Sequence, residues 1–402
     1  MARAVATGIS ALTDDLLTTH ILSNISFRDV VRSSLVSHRW RYLWKKLPFV
    51  IFCCQDFENQ TDNKIEAIIE KALLHHDGRL CCLDVEIAMD DPKTANINNW
   101  IRLAAEKKVE RMHLYISYRD PERRLDASSV VELGDSVFSC ENLTAIIAKF
   151  INLPQILTDL GAFRFLKTLY CDAIFNMDDA MFEGFMALCP HLQNLGIRGC
   201  LGLKHLNIRF PNLKYLDLGI LSRDTSLQVA CPLLTEICLM DYEQYQGLRL
   251  LQGISSSESV TIINLQNYTR GNAINPGLPS ISVLNGFPRL ELLKIHGPCF
   301  KDMISDEISI AELTLPNLKM VHAHIGQYKG GQSVKFLGFL LRNCPLTVIR
   351  ILLTKDCHGI IQNKFLDLKK EFPKSRLSID TRRRPMKWDE LCQSCDKYIE
   401  YL

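Results

Sequence analysis

Four tryptophans in 402 residues, aromatics at 8% and no strong excess of either charge leave several functional classes without support. Lysine and arginine number 47 against 45 aspartates and glutamates, a formal +2, so no global field draws the chain to nucleic acid or to an anionic membrane. No run reaches the roughly 18 consecutive apolar residues of a membrane-spanning helix. The most apolar late stretch, FLGFLLRNCPLTVIRILL, is broken by Arg342, Asn343 and Pro345. At the start, MARAVATGISAL runs straight into Thr13, Asp14 and Asp15, where a secretory signal needs a longer apolar core. A soluble protein is expected. Gly-x-Ser-x-Gly, His-Glu-x-x-His and nucleotide fingerprints are missing too, so neither an intrinsic active site nor a cofactor is expected.

The composition is otherwise that of a folded chain, 47% hydrophobic and 23% charged, with length for two or three domains. Its 15 cysteines are scattered, often where a leucine repeat accepts any small apolar residue, and read as reduced, buried thiols. The Asn-x-Ser/Thr sites at Asn24, Asn59, Asn142 and Asn267 need a secretory lumen to be glycosylated and carry no weight here.

Half of the tryptophans lie in VVRSSLVSHRWRYLW, residues 30–44. Upstream, Thr13 is placed to cap a helix whose first turn carries Asp14 and Asp15 and whose apolar face is Leu16, Leu17, Ile21, Leu22 and Ile25. That helix should end near Asn24. Ser26 and Asp29 have capping-box spacing for a second helix through Val30, Val31, Leu35 and Val36. Ser37 can cap a third, in which Trp40, Leu43, Trp44 and Leu47 form one buried stripe before Pro48 ends it. Three short helices cannot bury enough surface alone and need something to lean on.

This segment closely resembles the F-box, the three-helix unit that docks on the Skp-type adaptor of cullin-RING ubiquitin ligases. Leu12, Leu16, Leu17, Ile21, Leu22, Asp29, Val36, Ser37, Arg39 and Trp40 meet its pattern, with Thr13 standing where the family usually has proline. The resemblance implies adaptor contacts from Leu12, Leu16, Leu17, Ile21, Leu22, Val36, Ser37 and Trp40. A helical hairpin that merely covers the next domain is the alternative.

Beyond residue 75 the pattern apolar-x-x-apolar-x-apolar recurs. It appears as LCCLDV (80–85), VERMHL (109–114), LTAIIA (143–148), LKTLYC (166–171), LQNLGI (192–197) and LKHLNI (203–208). It continues as LKYLDL (213–218), LTEICL (234–239), VTIINL (260–265), LELLKI (290–295), LKMVHA (318–323) and, loosely, LTVIRI (346–351). Most copies follow one another at about 20–35 residues, the spacing of leucine-rich repeats, which this body resembles. LKHLNI is only about ten residues from its successor and reads as an extra strand or a chance match. DDAMFEGFMALCP, 178–190, reads as a return helix. The end of the chain looks like the FBD segment of plant F-box/leucine-rich-repeat proteins. The expected class is α/β, a three-helix F-box followed by a leucine-rich-repeat solenoid with an FBD-like cap. The expected limits are a tail at 1–8, F-box at 9–48, linker at 49–75, solenoid at 76–330 and last repeats with the FBD-like segment at 331–402.

Other motifs are weaker. GQYKGGQS, 326–333, has phosphate-loop spacing, but Gln332 stands where lysine is required. Cys392 and Cys395 lack a second ligand pair, so no metal site is expected. His75 and His76 suit a linker or helix end. RRRPMK, 382–387, is an import signal or a solvated basic turn.

The resemblances imply a substrate-recognition subunit of a Skp-cullin-F-box ubiquitin ligase in the nucleus and/or cytoplasm, itself non-catalytic. A repeat-domain interaction protein that recruits no ligase is the alternative. Strand alternation turns Tyr170, Tyr215, Asp217 and Lys294 to the face opposite the buried leucines. The mixed charges on that face favour a protein target over nucleic acid, with the two tyrosines as anchors.

Overall fold

The computed structural model describes residues 8–120, 123, 130–154, 163–219, 221–222, 224–241, 247–254, 258–267, 281–296, 313–325, 331–344, 347–353, 359–373 and 376–381. Its contacts divide the chain into two compact units, Met1–Leu192 and Gln193–Leu402.

In the first unit, helix α1 (Asp14–Leu16) runs on into a π turn (Leu17–Ile21) and a 3-10 turn (Leu22–Asn24), and helix α2 covers Phe27–Ser33. The third helix forms at Trp40–Lys46, but as 3-10 turns rather than the expected α-helix. Pro48 has no N–H to close an α-type bond onto Trp44, and so short a segment settles into tighter turns. The expected stripe is only half realised: Leu43 and Leu47 are buried, whereas Trp40 and Trp44 are half-buried. Leu17, Leu22, Phe27 and Val30 complete the core.

Strand β1 (Phe49–Phe52) follows at once and pairs in parallel with β2 (Cys82–Met89), Phe49 opposite Cys82. Between them the helix Asp62–Leu74 buries Ile65, Ile69 and Leu73. The expected linker at 49–75 is therefore the first strand-and-return unit. FVIF alternates as a strand must, and the open edge of β2 offers its backbone groups a ladder partner. The sheet of this unit continues through β3 (Arg111–Tyr118), β5 (Ala145–Lys149) and β7 (Thr168–Asp172), with a small side ladder of β4 (Val131–Glu132) and β6 (Ile151–Asn152).

In the second unit every main ladder is again parallel. The order is β8 (Asn194–Arg198), β10 (Tyr215–Gly219), β12 (Glu236–Asp241), β13 (Ile262–Asn267), β14 (Leu292–His296), β15 (Met320–Ile325), β16 (Val348–Leu353) and β17 (Leu377–Thr381). LKHLNI forms an extra strand, β9 (His205–Ile208), paired with β11 (Ser226–Val229) outside the main ladder. Up to residue 381, the segment expected as last repeats and cap adds β16 and β17 to the same sheet. RRRPMK, Cys392 and Cys395 lie outside the described residues, as does most of GQYKGGQS.

The repeat leucines explain the stack. The first apolar position of each copy, from Leu80 and Val109 through Leu143, Leu166, Leu192, Leu213, Leu234, Val260 and Leu290 to Leu318, is buried. Each such side chain gains about 1.5–3 kcal/mol on burial, available only against the neighbouring copy. The predicted return helix forms at Asp179–Ala187, with the Met181 N–H donating to Asp178 Oδ1 at 2.8 Å. All described cysteines are free thiols.

Candidate functional site

The N-terminal unit is held by its caps. Thr13 is extended, and its Oγ1 accepts the Leu16 N–H at 3.3 Å, starting the helix as expected at the position where proline is usual. Ser26 Oγ accepts the Asp29 N–H at 3.2 Å, and Ser37 Oγ accepts the Trp40 N–H at 3.3 Å. Arg39 ties the segment after Val36 back to the first helix, with Nε 2.8 Å from Asp14 Oδ1 and a further bond to the Leu12 carbonyl. The ring of Phe27 meets Trp44 edge-on at 6.0 Å and packs 4.8 Å from Phe52 of β1, joining the helices to the first repeat.

Buried His76 makes a second fastening. Its Nε2–H donates to the Leu47 carbonyl at 2.7 Å, and burial holds the imidazole below its usual pKa. His75 is exposed, with its Nδ1 2.9 Å from the carbonyl of Lys71.

Outside this core lies an apolar surface. Leu35 is 87% exposed and Val36 77%, and Ile9, Leu16, Ile25, Val31 and Tyr42 are exposed as well. Of the residues to which the resemblance assigns adaptor contact, Leu16, Val36 and Ser37 are on the surface, while Leu12, Ile21 and Trp40 are half-buried. Leu17 and Leu22 point into the core, both almost wholly buried, and so hold the unit together. The sequence pattern does not single out Ile9 and Tyr42; it groups Ile25 with the apolar face of the first helix and runs the second helix through Val31 and Leu35. Helical spacing shows which residues share a face but not which face is covered.

On the strand face opposite the leucines, Tyr170, Tyr215 and Asp217 are buried, and Lys294 is half-exposed. The two tyrosines are therefore not the exposed anchors expected from alternation. Neighbouring strands stand only about 4.8 Å apart, so large side chains in register cover one another. Tyr170 has Ile147 beside it in register, and the Tyr215 hydroxyl donates to Asp217 Oδ2 at 3.1 Å.

In the first unit the same face brings His113 Nδ1 within 2.9 Å of Asp84 Oδ1 on adjoining strands. Near the pair, burial, reinforced by the Asp84 charge, pushes the Cys82 thiol up to about 12. Among the described residues no His, Cys, Asp and Glu side chains cluster so as to hold a metal ion.

Comparison with known proteins agrees with this architecture. Residues 9–52 match the F-box domain family, and residues 97–264 match the family described as FBD-associated F-box protein At5g56370, LRR repeats. Among curated relatives, FBD-associated F-box protein At5g56370 of Arabidopsis thaliana is 28% identical over 186 residues, covering 46% of this chain and 42% of that protein. F-box/FBD/LRR-repeat protein At5g56420 of the same plant is 26% identical over 243 residues, 58% of this chain and 55% of its own length. F-box/LRR-repeat protein 13 is 27% identical over 316 residues, 74% and 64%. The chain spans about half the length of the first curated relatives it matches. The chain thus carries an F-box followed by a parallel ladder of leucine-rich repeats, and its relatives are F-box/FBD/LRR-repeat proteins.

Proposed function

We propose that the chain is the target-recognition subunit of a Skp-cullin-F-box ubiquitin ligase, docking on a Skp-type adaptor through its F-box and holding a protein target on its repeats. The observation that carries this reading is the exposure of Leu16, Leu35 and Val36 on a unit whose own core is already filled by Leu17, Leu22, Leu43 and Leu47. Apolar surface left in water at about 25 cal/mol per Å² is a standing gain for any partner that covers it.

The chain then acts by proximity. Holding a target lysine near a charged ubiquitin-conjugating enzyme raises the reactants' effective concentration and asks for affinity and rigidity, not for a catalytic residue here. Arg39, Thr13 and the Phe27 ring cluster supply rigidity on the adaptor side. Action in the nucleus or cytoplasm, where such ligases work, belongs to the same proposal.

The test is capture of a purified Skp-type adaptor by the full chain and by its Leu35→Asp/Val36→Asp variant. Capture by the parent and its loss in a variant that still melts at the parental temperature is expected. No capture by the folded parent would favour an interaction protein that recruits no ligase.

A further inference from the structure

Across β14, β15 and β16 the nitrogen-bearing side chains come into register. Lys294 stands opposite His322, and His322 opposite Arg350, while two residues further along His296 stands opposite His324. Leu293, Ile295, Val321, Ala323, Ile349 and Ile351 alternate with them and are buried, so these five share the other face. The rings of His296 and His324 lie 4.1 Å apart.

No aspartate or glutamate interrupts these three strands, and among the described residues neither Lys294 nor Arg350 has a carboxylate partner. Arg350 is exposed and Lys294 half-exposed, so both remain reachable. Burial and the like charges of His324, Lys294 and His322 all hold His296 well below the ordinary imidazole pKa. Its Nδ1 is shut off from solvent without a hydrogen-bond partner.

Gathering positive charge and leaving a ring nitrogen unmatched on one patch costs free energy unless an anion completes it. A carboxylate offers two oxygens and one charge. A phosphate monoester offers three acceptor oxygens and nearly two charges, enough to span lysine, imidazole and guanidinium on successive strands.

We propose that Lys294, His322 and Arg350, backed by His296 and His324, form a binding site for a phosphate monoester group. This goes beyond adaptor docking and stands on different residues.

The full-length protein is titrated calorimetrically with inorganic phosphate at constant ionic strength against chloride, and then with a short phosphoserine peptide and its unphosphorylated twin. Phosphate-dependent heat is expected. The Lys294→Gln/Arg350→Gln variant should lose about tenfold or more in affinity, the scale set by removing charge-assisted hydrogen bonds. Phosphopeptide binding tighter than free phosphate identifies a phosphorylated target as the source, and equal affinity identifies free phosphate; both support the site. Should the double glutamine variant fail to fold, ¹⁵N spectra of the parent's histidines decide, with the His296 signal expected to move on phosphate addition. Binding no stronger than chloride, parental affinity in a folded variant, or unmoved histidine signals overturns the proposal.

Discussion

Arg198 on β8 and Asp217 on β10 form a bidentate ion pair inside the second unit, Nε to Oδ1 at 2.8 Å and the second guanidinium nitrogen to Oδ2 at 2.5 Å. Arg198 is 3% exposed and Asp217 not at all. Gly219, in register with Arg198, has no room for a side chain: a Cβ there would sit 2.8 Å from the Met240 carbonyl oxygen.

Breaking this pair from one side strands a buried charge. Asp217→Ala should cost about 3–5 kcal/mol, whereas the apolar double variant Arg198→Met/Asp217→Leu should cost much less. Urea unfolding of the three chains measures this, and equal losses in both variants would contradict it.

In the F-box, surface and core residues should part company. Leu22→Ala should destabilise the chain by about 2–5 kcal/mol, whereas Leu35→Ser should leave the melting temperature unchanged and weaken adaptor capture. Trp40→Ala should cost less than Leu22→Ala, because Trp40 is only half-buried. Thermal melts paired with adaptor pull-downs distinguish these outcomes.

Removing the Thr13 cap should be mild. Thr13→Ala gives up the bond to the Leu16 N–H and should lower F-box stability by about 1 kcal/mol. Circular dichroism melts across the series Thr13→Ala, Thr13→Ser and parent check it, with serine expected to retain most of the cap.

Acid should loosen the chain through buried His76 and half-buried His296. His76 and His296 both titrate below the unfolded value of about 6.5, so the unfolded chain binds the extra protons first. Their contribution is complete above pH 6.5 or so and falls as pH drops below it. His76→Gln, which keeps an N–H for the Leu47 carbonyl, should flatten that decline. Unfolding midpoints at a pH of about 7.5, 6 and 5 test it, and an unchanged slope in the variant would remove His76 from the account.

Much of this architecture is written locally. The spacing of Leu192, Leu195 and Ile197, or of Leu290, Leu293 and Ile295, requires a strand whose apolar residues face one way, whatever the rest of the chain does. Thr13, Ser26 and Ser37 cap their turns because a hydroxyl three residues from an unpaired N–H needs only its own turn to reach it. The sequence by itself therefore determined the F-box, the repeats and the return helix after Asp178.

What it could not decide depends on which strand lies beside which. That Phe49–Phe52 is a first strand rather than linker follows from the free edge of β2. That Leu17 and Leu22 turn inward while Leu35 and Val36 stay in water follows from how α1, α2 and the turns at Trp40–Lys46 pack around Phe52. The burial of Tyr215 and Asp217 with Arg198, and the gathering of Lys294, His322 and Arg350, arise from register between segments some 20–30 residues apart. Alternation names the face of a strand, but only the neighbouring strand determines whether that face is covered, paired or left open.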